Sequence, residues 1–209
     1  MLNEVRVGIQ KNSDGAVAIA RGGYTGAAVV QDAHAKYAET VMRGNVFFMS
    51  VAAGAPTAYV GAAGGTPLLA IHNPTGSGKA LVVLAATGLI RATASGAGTT
   101  DLALWAGASV IPTGTITQPR NALSFAQGGI GVGFSNTALT GSTALNLALA
   151  LNGYYWATAA AAYANQGFVD VGGLVVLVPG MQVALGATVV PTSTTWDVSL
   201  FWEEIPYGA

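Results

Sequence analysis

Thr75-Gly76-Ser77-Gly78-Lys79-Ala80 carries the residue types of a phosphate-binding loop. Its glycines would turn main-chain N–H groups toward an anion, and its lysine would reach the outer phosphates. Such a loop also needs glycine where Asn73 stands, a hydroxyl residue where Ala80 stands, and a following helix. Leu81-Val82-Val83-Leu84 follows instead, a strand by composition, so the segment reads as a hairpin turn with an exposed lysine. Gly128-Gly129-Ile130-Gly131-Val132-Gly133 has the glycine content of a dinucleotide fingerprint, but Phe134 and Asn136 occupy the positions its third glycine needs. A loop or a bulged strand is expected there.

Acid–base and metal chemistry find no constellation. His34 falls in a segment that reads as helix. His72 ends an apolar run beside Asn73-Pro74, where a side chain satisfied by hydrogen bonding is expected. With two histidines and no cysteine there is no metal-spaced pair, no thiolate and no disulfide. Glu203 and Glu204 are adjacent, so on a strand they point to opposite faces and do not form a catalytic carboxylate pair. Their expected role is to discourage edge-to-edge pairing of the C-terminal strand. Tyr154-Tyr155-Trp156 reads either as a glycan-stacking platform or as interface aromatics. No catalytic, cofactor-binding or metal residue is assigned, and the chain reads as a non-enzyme.

The composition behind these segments is unusual. Only 8% of the 209 residues are charged, whereas a free soluble domain exposes a surface of about a quarter to a third charged side chains. Much of this exterior must therefore be covered by partners or clothed in Thr, Ser and Asn. A formal net charge of −1 argues against nucleic acid as a partner, since phosphate binding needs clustered Lys and Arg. The uncharged stretch from Asn121 to Val169 raises the question of a membrane span. Leucines at every second position from Leu145 to Leu151 give it the period of a strand, and glycines and asparagines interrupt it.

Charge is also unevenly spread. Nine of the 17 charged residues lie in the first 43 positions, which marks an arm over residues 1–43 and a body over 44–209. Within the arm, Asp32/Lys36 and Glu39/Arg43 are acid-before-base pairs four apart, and Gly44 follows as a C-cap, which predicts a short helix from Asp32 to Arg43. The body reads as strands over 45–51, 67–72, 80–91, 102–105, 145–151, 174–178, 182–189 and 196–205, with Gly, Pro, Thr and Asn turns between them. The Ala-rich stretch 157–164 suggests a helical turn. In the last strand Trp196, Val198, Leu200 and Trp202 form one face and Asp197, Ser199, Phe201 and Glu203 the other. The expected fold is all-β, a jelly-roll-like β-sandwich with an N-terminal extended arm containing a short helix.

Three segments carry a resemblance: Tyr37-Ala38-Glu39 with Arg43-Gly44-Asn45-Val46-Phe47-Phe48, then Asn73 through Val83, then Trp202-Glu203-Glu204-Ile205-Pro206. Together they resemble a group of small Ala/Gly/Thr-rich virion structural proteins of tailed bacteriophages. The resemblance implies a virion component and is compatible with a jelly-roll body. The expected role is a capsid decoration, or cement, protein on the capsid exterior, acting as a homotrimer bound to the major capsid protein. Residues 1–43 would anchor it, with Arg6, Lys11, Arg21 and Arg43 pairing with capsid carboxylates. The alternative is a tail-associated fibre or adhesin subunit that binds a host glycan through Tyr154, Tyr155 and Trp156.

Overall fold

The structure is a computed structural model, and it describes residues 36–54, 58–92, 98–156, 166–188 and 195–208. The chain divides into two units, Met1–Ala38 and Glu39–Ala209. The larger unit is a sandwich of two antiparallel sheets. Its strands are β1 (Val46–Gly54), β2 (Leu69–His72), β3 (Lys79–Ala92), β4 (Gly98–Ala108), β5 (Ile116–Thr117), β6 (Arg120–Asn121), β7 (Val132–Ser135), β8 (Asn146–Trp156), β9 (Gln166–Leu177), β10 (Met181–Ala187) and β11 (Thr195–Pro206).

One sheet has the order β6-β1-β11-β3-β9 and the other β5-β7-β2-β10-β4-β8. Without β5, β6 and β7, the orders are β1-β11-β3-β9 and β2-β10-β4-β8. That is the jelly-roll arrangement, in which the chain alternates between sheets so that first and last strands lie side by side. The eight strands expected from sequence are these eight. The three short ones belong to an insertion between β4 and β8 that extends both sheets at the β1/β2 side of the sandwich.

Period-two burial builds the core. Trp196, Val198, Leu200 and Trp202 of β11 point inward and are buried, as expected. They meet Ile71, Leu81, Val83, Leu104, Val183 and Leu185 in the main core between the sheets. Trp202 stacks on Phe47 with ring centroids 6.4 Å apart. A second cluster lies on the opposite face of the β2/β10/β4 sheet, where Tyr59, Ala70, Trp105, Phe134, Leu139, Leu145 and Ala184 pack together. The loops around Tyr59 and Leu145 cover a sheet face that would otherwise meet water. Gly133 lets β7 close against β1: a methyl group there would overlap Met49 Sδ and the Thr117 carbonyl.

The leucine alternation of β8 is broken where its pairing with β4 shifts between Leu149↔Leu104 and Leu147↔Trp105. A bulge reassigns the faces that strict alternation would have set. Leu145 therefore joins the second cluster, Leu149 and Leu151 pack on the main core, and Leu147 is exposed.

Ahead of β1 lies helix α1 (Ala38–Met42). Arg43 Nη2 holds Glu39 Oε1 at 2.6 Å, the i,i+4 pair the spacing predicts. Gly44 takes φ +75° and donates its N–H to the Val41 carbonyl, ending the helix as a glycine cap does. Of the Asp32–Arg43 helix expected, Lys36 and Tyr37 form a turn ahead of α1, while residues 32–35 lie outside the described residues, as does the stretch 157–165. No helix among the described residues is long and apolar enough to cross a membrane.

Candidate functional site

The insertion from Ser109 to Leu145 concentrates the features that could recognise something. Val110, Ile111, Ile116, Leu123 and Phe125 are all exposed along it, and Arg120 is its sole charged residue. Exposed apolar groups in an uncharged setting are a property of surfaces that become covered. Phe125 meets Phe48 edge-on at 5.8 Å, and Phe48 stacks on Phe201 at 5.7 Å, so the Phe125 end of the insertion lies against the outer face of the β1/β11 sheet.

A buried carboxylate fixes the insertion to the sandwich. Glu204 is fully buried, and its Oε1 accepts the Ile130 N–H at 2.6 Å and the Gly131 N–H at 3.4 Å. Its Oε2 receives Lys79 Nζ at 3.0 Å. This corrects one sequence expectation. Glu204 does not protect a strand edge, because β11 lies between β1 and β3 in the interior of its sheet. Lys79 keeps an exposed side chain, as expected, and its ammonium neutralises that carboxylate. Glu203 does point the other way, toward the surface. Partial burial raises its carboxyl above the ordinary value, and the Arg43 charge pulls it back down.

The glycine-rich segment before Lys79 joins β2 to β3, and so passes from one sheet to the other rather than closing a hairpin. Asn73, fully buried, organises it. Its Nδ2 donates to the Lys79 and Leu177 carbonyls, both at 2.8 Å, and its Oδ1 accepts Ser77 Oγ at 2.7 Å. The Asn73 main chain exchanges hydrogen bonds with Met181 and Gly180 in the β9–β10 turn. Gly76 and Gly78 both take positive φ. The Ser77 N–H donates to the Pro74 carbonyl and the Lys79 N–H to Ser77 Oγ within the turn, and a strand follows it.

His72 and Gln182 face each other across β2 and β10 at full burial. Neither imidazole nitrogen of His72 and neither amide atom of Gln182 has a hydrogen-bond partner in the protein. The expectation of a hydrogen-bonded His72 is therefore wrong: both strands bring their polar side chains to the same row, where Val132 and Gly107 offer nothing polar in return. Desolvation lowers the His72 pKa below 6.5. Between that lowered value and about 6.5 the unfolded chain binds the extra proton and the folded one does not, so stability falls as pH falls through this window. Urea unfolding of the wild type and His72→Leu at about pH 7.5 and about pH 5 checks this. The wild type loses more stability on acidification than the variant; equal losses would show that His72 is not a source of acid sensitivity.

Of the residues singled out from sequence, Arg6, Lys11, Arg21 and His34 lie outside the described residues. Arg43 is exposed and occupied by Glu39. Tyr154, Tyr155 and Trp156 belong to β8, opposite Thr100, Thr99 and Gly98 of β4, and their side chains are outside the described part. Among the described residues no group of three or more His, Asp or Glu side chains is arranged to hold a metal ion.

The sequence reading missed the cleft at the foot of the insertion. A half-open cavity of about 480 Å³ is lined by Phe48, Met49, Ser50, Ile116, Thr117, Gln118, Arg120 and Gln127. Strands of two residues, such as β5 and β6, leave no periodic signal. The available clue was Asn121, whose Oδ1 accepts the Leu123 and Ser124 N–H groups at 2.9 and 3.2 Å, the turn that Asn-x-x-Ser foreshadows.

No family model, no curated protein and no solved structure matches this chain.

Proposed function

We propose that this chain is a structural virion protein: a capsid decoration protein that stabilises the lattice of a major capsid protein from outside, working as an oligomer. The observation that carries the reading is a jelly-roll body whose insertion exposes five large apolar side chains beside one charge. Such a surface suits permanent coverage by neighbours, because obligate interfaces resemble a core cut in two. The phage assignment rests on the resemblance of the Tyr37–Phe48, Asn73–Val83 and Trp202–Pro206 segments. Residues 1–43 are the anchoring arm of this reading, with Arg6, Lys11, Arg21 and Arg43 as its contacts and a homotrimer as its oligomer.

Quantitative mass spectrometry of particles purified from the source is the direct test. The expected result is a copy number comparable to that of the major capsid protein. A small fraction of that number would favour the second reading, a tail-associated fibre or adhesin subunit that binds a host glycan through Tyr154, Tyr155 and Trp156. Absence from the particles would overturn both.

A further inference from the structure

Three consecutive residues of β1, Phe48, Met49 and Ser50, line the cleft. Successive side chains of a strand point to opposite faces, so a cavity touching three in a row runs along the strand's edge. The ladder explains why that edge is open. β6 pairs with β1 at Phe47↔Asn121 and Phe48↔Arg120, and the same register would next place Gln118 opposite Ser50. Instead the chain leaves for β5 in the other sheet, and the gap between Ser50 and Gln118 is the cleft.

The main-chain groups facing this gap can be identified. The Ala122 N–H donates to the Val46 carbonyl on the β6 side, while the Glu204 N–H donates to the Asn45 carbonyl on the β11 side. Even-numbered residues of β1 therefore direct their N–H and C=O toward β6, and Ser50 presents both to the cleft with no strand opposite among the described residues. The Ser50 hydroxyl is engaged elsewhere, 2.8 Å from Ser199 Oγ. Around the opening stand the amides of Gln118 and Gln127, the exposed apolar side chain of Ile116, and Arg120. Arg120 spends one donor on the Phe125 carbonyl at 3.0 Å, and a guanidinium has others to offer. Among the described residues no carboxylate lines the cavity.

We propose that this cleft binds an extended segment of another polypeptide, which adds to the β1 edge by main-chain hydrogen bonds to Ser50. One apolar side chain of the segment rests on Ile116 and Phe48, and a carboxylate pairs with Arg120. Unpaired strand edges take such segments readily, the backbone supplying affinity and the flanking pockets specificity. The site stands independently of the virion reading.

The test is selection of a random linear dodecapeptide library on the immobilised full chain. Affinities of the enriched peptides are then measured for wild type, Ser50→Ala, Ser50→Pro, Ile116→Asp and Arg120→Ala, with thermal unfolding as a check on each. Enriched peptides should alternate apolar and polar residues and carry an acidic one. Ser50→Ala should bind as the wild type does, whereas Ser50→Pro, which removes only the edge N–H from the main chain, should weaken binding about tenfold or more. Arg120→Ala should weaken acidic peptides selectively. If Ser50→Pro does not fold, Ile116→Asp at an exposed position carries the decision, since it should also weaken binding. No enrichment over uncoated support, or equal binding by the edge and pocket variants, overturns the proposal. So does wild-type self-association abolished by Ser50→Pro, which would make a second copy the occupant. Saccharide binding on a glycan array that Arg120→Ala removes and Ser50→Pro spares would equally overturn it.

Discussion

Glu204→Ala should destabilise the protein by about 3–4 kcal/mol, because the carboxylate is buried and takes three donors that nothing else can take. Most of this loss comes from the Ile130 and Gly131 N–H groups, which are left facing an apolar hole. Less comes from Lys79, whose partly exposed ammonium regains water when the partner goes. For a chain of this size the melting temperature should fall by about 10 °C. Glu204→Gln keeps one carbonyl oxygen for the N–H pair but turns its NH₂ toward the ammonium, so an intermediate loss of about 1–2 kcal/mol is expected. Urea unfolding of the three proteins gives the order. A Glu204→Ala variant as stable as the wild type would show that the insertion is held by its apolar contacts alone. The two glutamates also separate cleanly, since Glu203 faces the surface and its replacement by Gln touches none of these donors.

Asn73→Asp should be at least as damaging, at about 4 kcal/mol, although it changes a single atom. Asn73 Nδ2 donates to two carbonyls, those of Lys79 and Leu177. An aspartate places an oxygen there, so two hydrogen bonds become contacts between like partial charges inside a buried turn. Asn73→Ala removes the donor without adding repulsion, and its loss should be smaller, about 2–3 kcal/mol. The order Asp below Ala below wild type in urea midpoint at neutral pH is the decisive readout. A variant with Asp above Ala would mean that the carboxylate finds a new partner and that the two carbonyls are not held as described. Both variants loosen the β2–β3 and β9–β10 turns together, because Asn73 is bonded to each.

The contrast between these two residues shows what could be read from the chain. Asn73-Pro74-Thr75-Gly76 announced a turn through its residue types, and rejecting a phosphate loop followed from what stood at positions 73 and 80. Nothing around Glu204 announced a buried anchor. Adjacent glutamates near a C-terminus look like solvent-facing charges, and only the placement of β11 between β1 and β3 reverses that reading. His72 failed for a related cause: the residue it faces, Gln182, stands more than a hundred positions away and makes no hydrogen bond to it.

Local chemistry settled the strands. Period-two alternation of large apolar residues, broken by Gly, Pro, Thr and Asn, is a property of neighbours in sequence, so it located the eight strands of the jelly roll and the inward face of β11 before any contact was known. The helix cap at Gly44 and the Glu39–Arg43 pair belong to the same class, since i,i+4 geometry is contained within one turn. Tertiary structure alone decided the strand order, the bulge that turns Leu147 outward, the insertion that extends both sheets, and the open edge at Ser50. Each depends on which distant segments meet, and burial, pairing and exposure at those places are set by the partner strand rather than by the residue itself.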